Sequence, residues 1–220
     1  MKDKITVFLT AFHRMDNVEV LLQSLSRQTF NDFDIVIINN NINERFRINE
    51  MTWESDNQMN IIVVHMDYNS GTIARYLEAR QRDCDFAIFL DDDIILRKES
   101  IQSFVDSRQK GKAVSCLGYE FGSNLSEKKK VYSGNAKAIG TGMMIFDAEM
   151  IRRNDFISEW KPQFYVCDDM WFCRYLQTHG YETVVDKKVK AFLKPSEPSS
   201  MIKTGIIQKL KQEFVDSEQW

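Results

Sequence analysis

The segment FAIFLDDDIIL, residues 86–96, places three consecutive carboxylates, Asp91, Asp92 and Asp93, between two apolar runs. Carboxylates held this close repel one another unless a cation neutralises them. Hard cations such as Mg²⁺ and Mn²⁺ take oxygen ligands, commonly one or two carboxylates plus phosphate oxygens. The Asp91-x-Asp93 spacing therefore fits a divalent metal, Mn²⁺ or Mg²⁺, that bridges the protein to a diphosphate. Strand alternation predicts Asp91 and Asp93 on one side and Asp92 on the other. A solvated acidic turn is the competing reading, but a surface turn rarely sits between two buried segments.

Asp168 and Asp169 open a second chemically suggestive segment, DDMWFCRYLQTHG. A helix N-terminus favours negative charge, so capping alone would account for them. A carboxylate there could also act as general base, taking the proton of an attacking acceptor hydroxyl. Adjacent helical residues point about 100° apart, so only one of the two aims at a given site. Asp169 is the first choice of base. Asp168 is the second, with contacts to acceptor hydroxyls as its other role.

The elements that must carry these groups follow from periodicity. Residues 4–10 alternate in the manner of a strand. Asp16 and Glu19 have capping-box spacing ahead of the stripe Val18, Leu21, Leu22, Leu25. Residues 33–39 and 60–65 are dense apolar runs of the kind buried on both faces of a parallel sheet, separated by a polar stretch, 43–57, that would carry a helix or loop. Asn69-Ser70-Gly71 breaks the chain before a helix over 72–82, and Phe86–Leu90 forms the strand that ends at the aspartates. A helix over 99–109 stopped by Gly111 and a strand over 113–117 complete an alternating βαβ pattern through residue 117. Beyond it come a loop or hairpin over 118–140 with Lys128-Lys129-Lys130, a strand over 141–146, and the helix 168–179 closed by Gly180. A mobile segment over 194–205 then leads to an amphipathic helix over 205–215.

In bulk, 220 residues suffice for one domain with one core, and 43% hydrophobic with 28% charged residues is a globular composition. The net charge of -3 argues against a general nucleic-acid binder. No signal-peptide pattern and no apolar run of roughly 20 residues is present. Four cysteines without a C-x-x-C pair, and three histidines, argue against zinc and suit reduced thiols in a cytosolic protein.

Taken together the segments resemble family 2 glycosyltransferases of the GT-A fold. TAFHRMDNVEVLLQSLSRQTFNDFDIVIINN resembles that family's opening strand, first helix, Q-T turn and second strand. NSGTIARYLEAR resembles its N-x-G…A-R segment, FLDDDI its D-x-D motif, GTGMMIF the strand before the acceptor site, and CDDMWFCRYL its E-D motif. The resemblance covers about residues 4–180. It implies an α/β fold with a Rossmann-like, mostly parallel central sheet flanked by helices. Residues 1–117 would form a nucleotide-sugar-binding half and 118–193 a smaller acceptor-side half, with 194–220 as a C-terminal appendage. It implies a nucleotide-sugar site built from Thr10, Phe12, Asn40, Arg75, Asp91, Asp92 and Gly142. Thr10 and Phe12 would lie by base and ribose, Asn40 where the family often has a uracil-contacting Asp, and Arg75 toward base or phosphates. Asp93, with Asp91, would hold the metal, and Asp169 would be the base. Three departures stand out: Ala11 replaces the usual Pro, Asn39-Asn40 the usual Asp pair, and Asp-Asp the E-D pair. The donor expected is a UDP-sugar and the acceptor a glycan or lipid-linked sugar, in bacterial surface-polysaccharide synthesis at the cytoplasmic side of the membrane.

Two other functions are weighed. A nucleotidyltransferase would also use carboxylate-bound Mg²⁺, but it would show a Gly-rich basic loop where this chain reads AFHRMDN. An inactive nucleotide-sugar-binding module would keep the donor site without the base. Trp171, Phe172, Tyr175 and Leu176 read as core, and His65 as structural. Trp160 and Tyr165 could stack on an acceptor sugar or pack under a loop. Lys128–Lys130 is a solvated run or a site for an anionic lipid-phosphate acceptor, and the C-terminal helix packs on the domain or leans on a membrane.

Overall fold

The computed structural model describes residues 2–48, 59–153, 155–193 and 205–218. Most of the polar stretch expected over 43–57, and all but the end of the segment 194–205, lie outside the described residues. The elements follow in chain order: β1 (Ile5–Ala11), α1 (Met15–Ser26), β2 (Asp34–Asn39), β3 (Asn60–His65), α2 (Ile73–Gln81), β4 (Phe86–Asp91), β5 (Ile94–Leu96) and α3 (Ser100–Ser107). The second half contributes β6 (Lys112–Ser115), β7 (Gly118–Glu120), β8 (Lys129–Val131), β9 (Gly134–Asn135), β10 (Ala138–Ile139) and β11 (Met143–Asp147). It ends with α4 (Glu149–Arg152), α5 (Asp155–Ser158), α6 (Asp168–Thr178), β12 (Glu182–Val185), β13 (Ala191–Leu193) and α7 (Gly205–Glu218).

The main sheet runs β3-β2-β1-β4-β11-β6-β12-β9. The first four strands are parallel. β6 does not extend that run directly, as simple alternation would have it: β11 inserts between β4 and β6, antiparallel to both. The reason is burial. Every residue of MMIFD is buried, so this strand needs neighbours on both edges and cover on both faces. The period-2 pattern then sorts side chains to two cores. Phe8, Phe89, Met144 and Phe146 meet Tyr76 of α2 and Phe172 of α6 on one face. Val7, Leu9, Ile88, Leu90 and Ile145 meet Leu22 of α1 and Phe104 of α3 on the other. Each such side chain, fully buried, contributes about 1.5–3 kcal/mol.

Several local expectations shift. β3 is an edge strand with four of its six residues only partly covered and the other two exposed, rather than a strand buried on both faces, because no described strand flanks it beyond β2. Helix α1 starts at Met15, with Arg14 at the N-cap making no side-chain cap bond, so Asp16 falls in the first turn instead of serving as the cap. Helix α3 ends at Ser107, before Gly111. Helix α6 does end as expected. His179 closes it, Gly180 takes the left-handed φ of 79°, and Tyr181 N–H returns to Leu176 C=O at 2.9 Å.

Residues 118–131 form the expected hairpin, which joins β10 in a small sheet, β10-β7-β8. Helix α7 docks onto the domain. Phe214 and Val215 are fully buried, Phe214 meets Phe164 edge-on at 5.1 Å, and the Gln212 side chain accepts from Leu125 N–H at 2.9 Å. Its Phe214–Val215 face is therefore covered by protein and not turned outward. No helix among the described residues is long and apolar enough to cross a membrane.

Candidate active site

The aspartate run sits at the carboxyl end of β4, where open α/β sheets place their ligands. The chain turns at Asp92-Asp93 between β4 and β5, so strict alternation fails there. Asp92 turns into the protein, where Arg14 grips it through Nε at 3.0 Å and again through the second guanidinium nitrogen. Burial pushes the Asp92 carboxyl up to about 6, against the pull of Arg14. Arg14 also reaches Asp93 Oδ2 at 3.6 Å. Asp92 and Asp93 thus share one cation, while Asp91 turns to another. Asp93 Oδ1 is buried without any hydrogen-bond donor.

Asp91 Oδ1 accepts from Arg75 at 2.7 Å. Arg75 lies in the first turn of α2, is only 2% exposed, and spans the two acidic motifs. Its second terminal nitrogen donates to Asp168 Oδ2 at 2.5 Å and to Thr141 Oγ1 at 3.0 Å. Tyr76 O–H and Thr141 O–H add bonds to the same Asp168 oxygen at 3.1 and 3.3 Å. Burial alone would lower the Arg75 pKa, but Asp168 and Asp91 outweigh it and hold the guanidinium charged. Burial raises the Asp91 carboxyl above its ordinary range, with Arg75 opposing and Asp168 and Asp93 adding to the rise. Arg75 therefore lies beneath the site, engaged with carboxylates, and is not a free cation facing a ligand.

Gly142 has a steric role. A Cβ built there would overlap the Asp91 carboxylate, and Gly142 C=O accepts from Asp91 N–H at 2.9 Å. The segment Gly140–Gly142 is thus the close-packed partner of the strand that ends at the aspartates. Gly142→Ala should cost about 1–3 kcal/mol by overpacking and displace Asp91. The expected result is a lowered melting temperature, and a melting temperature equal to wild type would contradict it.

Asp169 differs from its neighbour. Helix geometry turns it away from Arg75, toward α7 and the small sheet. Its side chain remains part-exposed and pairs with Lys211 Nζ at 2.6 Å. Burial opposes the Lys211 charge, but Asp169 outweighs it and keeps the ammonium protonated. Asp169 opens on a small cavity of about 70 Å³ shared with Tyr119, Phe121 and Lys128. Neither Asp168 nor Asp169 caps α6: Cys167 holds the N-cap position and makes no side-chain cap bond.

Thr10, Phe12 and Asn40 line one cleft of about 620 Å³, a size suited to a small-molecule ligand. Thr10 Oγ1 is buried there with no partner, and Phe12 is exposed. The Asn40 amide is occupied: Nδ2 donates to Gly71 C=O at 2.9 Å, and Oδ1 accepts from Ser70 N–H at 3.3 Å. It pins the 69–72 turn, where Gly71 takes φ of 62°. Asn39 is internal as well, bonded to His65 Nδ1 at 3.0 Å, which gives that histidine a structural place. Tyr68, Trp160 and Tyr165 complete the cleft. Trp160 and Tyr165 thus face the Thr10 cleft across from β1, a placement that their distance along the chain conceals. Thr72 Oγ1 donating to Tyr165 C=O at 2.8 Å joins the two walls.

Among the described residues, one acid–imidazole group, Asp155, Glu159 and His179, brings its ligand atoms within 4.8 Å of one another. It lies around α5 and the end of α6, not at the aspartate run. Arg153 and the Tyr175 hydroxyl hold the Asp155 pKa far below the usual carboxylate range, and the contacts of Asp155 with Tyr175 and His179 tie α5 to the end of α6.

The chain matches the family described as "Glycosyl transferase family 2" over residues 6–176. It is 28% identical over 90 residues to an uncharacterized glycosyltransferase of Haemophilus influenzae, covering 40% of this chain and 29% of the relative. Its fold is similar to that of the mannosyltransferase PcManGT from Pyrobaculum calidifontis, solved with GDP-Man and Mn²⁺ (TM-score 0.74, 14% identity, 100% of this chain and 65% of that one). It is also similar to S. aureus TarS 1-349, solved with UDP-GlcNAc (TM-score 0.65, 17% identity, 94% of this chain and 64% of that one). The chain spans less than two thirds of the length of each of these relatives. The shared architecture is the GT-A fold, and with the family match extending from β1 into α6, the chain belongs to glycosyl transferase family 2.

Proposed function

We propose that this chain transfers a sugar, with inversion, from a nucleotide diphosphate sugar to a hydroxyl of a glycan or lipid-linked acceptor. The observation that carries the reading is the Arg75 bridge. One buried guanidinium fixes the aspartate run at Asp91 and the start of the base helix at Asp168. The two acidic motifs, 77 positions apart from Asp91 to Asp168, thereby become one site.

In this reading the cleft at Thr10, Phe12 and Asn40 takes the nucleoside, with Trp160 and Tyr165 as its far wall. UDP is the first candidate nucleotide. Asp93, whose Oδ1 is buried and free of donors, and Asp91 have the hard oxygen chemistry that fits a divalent cation. Such a metal, when bound, supplies charge stabilisation for the leaving diphosphate. Arg14 orients Asp92 and Asp93. Arg75, Tyr76 and Thr141 saturate one oxygen of Asp168, which makes it a positioning group. Asp169, part-exposed on the next residue, takes the proton from the acceptor hydroxyl.

Two features favour this over nucleotidyl transfer: the family match and the Gly-free loop after β1. The test is a thermal-shift measurement with UDP and Mn²⁺. At a hundredfold excess over Kd, binding raises stability by about 2.7 kcal/mol. Asp93→Asn should abolish the Mn²⁺-dependent part of that shift. If no nucleoside diphosphate shifts the wild-type protein in Mn²⁺, the proposal is wrong.

A further inference from the structure

A second cavity, of about 420 Å³, lies between the β7–β8 hairpin and the β12–β13 connection. Its lining has no carboxylate and includes three lysines, Lys130, Lys187 and Lys190, over an apolar floor that includes Met143. All three lysines are exposed and form no ion pair among the described residues. Ammonium groups gathered at a concave surface focus a positive field, and an anion entering there relieves their repulsion. Lys130 lies 5.6 Å from the ring of Tyr132, another lining residue.

The cavity wall is held in place. Lys190 N–H donates to Ser103 Oγ at 2.9 Å, and Lys190 C=O accepts from Ser100 Oγ, so α3 pins the connection that carries Lys187 and Lys190. The cavity also adjoins the segment that packs on the aspartate run. Gly140 N–H donates to C=O of the lining residue Leu117 at 2.9 Å, and two residues on, Gly142 packs on Asp91. Residues 140–142 thus separate the lysine cavity from the Asp91 carboxylate.

We propose that this cavity binds a phosphate group of the acceptor, which makes the acceptor a phosphate-bearing one, soluble or lipid-linked. The inference rests on the glycosyltransferase reading above. Three lysines suit a phosphate, which offers several oxygens and up to two negative charges, better than a single carboxylate. The apolar floor takes the carbon skeleton attached to it. Of the sequence run Lys128–Lys130, only Lys130 belongs to this cavity. Lys128 lines the small cavity beside Asp169.

Cys116 supplies the reporter, because it lines the cavity and is part-exposed while Cys84, Cys167 and Cys173 are buried. Burial raises its thiol pKa, so alkylation by iodoacetamide is followed at high pH. With a Kd of about 1 mM, roughly 10 mM glucose 1-phosphate should slow Cys116 alkylation about tenfold, and glucose should not. K187Q/K190Q should lose the protection while keeping the unliganded alkylation rate. Vesicles containing phosphatidic acid form a parallel arm. Protection by them and not by the soluble phosphate assigns the phosphate to a lipid-linked acceptor, and the converse assigns it to a soluble one. Equal protection by glucose, protection by UDP, or no protection by either phosphate source overturns the proposal. Donor-cleft binding is followed separately by the UDP and Mn²⁺ thermal shift, so failure here is distinct from failure of the glycosyltransferase reading.

Discussion

Asp169→Asn is expected to lower sugar transfer by about 10²–10⁴, the usual contribution of a general base, with nucleotide binding unchanged. The amide keeps the shape of the side chain and cannot take up the acceptor proton. Asp169 does not touch the Thr10 cleft, so the UDP and Mn²⁺ thermal shift should match wild type. The same substitution also weakens the ion pair to Lys211, which ties α6 to α7. Lys211→Met separates the two effects. It breaks the same pair and retains both the aliphatic stem and the Asp169 carboxylate, so most transfer activity should survive. Equal losses in the two variants would mean that the docking of α7, and not proton transfer, sets the rate. Full activity in Asp169→Asn would remove Asp169 from the mechanism.

Arg75→Met should be the most destabilising single change at the site. It leaves the carboxylates of Asp91 and Asp168 facing one another without their shared cation. Removing one partner of a buried ion pair costs about 3–5 kcal/mol, which for a chain of this size lowers the melting temperature on the order of 10 °C. The deficit should depend on pH, measured in metal-free buffer. Burial already raises the Asp91 pKa, and the variant removes the opposing pull of Arg75. A carboxyl whose folded pKa lies above its unfolded value binds more protons in the folded state. Its contribution therefore worsens as pH rises through that window, and Arg75→Met should lose more stability at pH 8 than at pH 5. A loss under about 1 kcal/mol, or a deficit independent of pH, would show that the bridge is not what holds the two motifs together. Arg75→Lys should fall between wild type and Met, because one ammonium lacks the fork that reaches both carboxylates.

Local pattern made much of this protein legible. The strands at residues 5–11, 34–39 and 86–91 and helix α6 with its glycine stop follow from apolar periodicity and chain-breaking residues, which act over a few neighbours. The two acidic motifs were visible for the same reason, since clustered carboxylates between apolar runs are a local anomaly. What periodicity could not reveal is pairing between distant segments. β11 enters between β4 and β6 because a strand buried on every residue needs two neighbours, and nothing within MMIFD names them.

The site divides along the same line. Residue types and spacing by themselves determined that Asp91–Asp93 and Asp168–Asp169 could do chemistry. Tertiary structure alone decided where each of them sits and what it pairs with. It turned Asp92 inward to Arg14, placed Arg75 beneath the site as a bridge, and left Asp169 open while Asp168 was enclosed. It also brought Lys130 together with Lys187 and Lys190 around one cavity. The physical reason is range: backbone preferences act between neighbours along the chain, whereas burial and charge pairing act between whatever groups the packed sheet brings within a few ångströms.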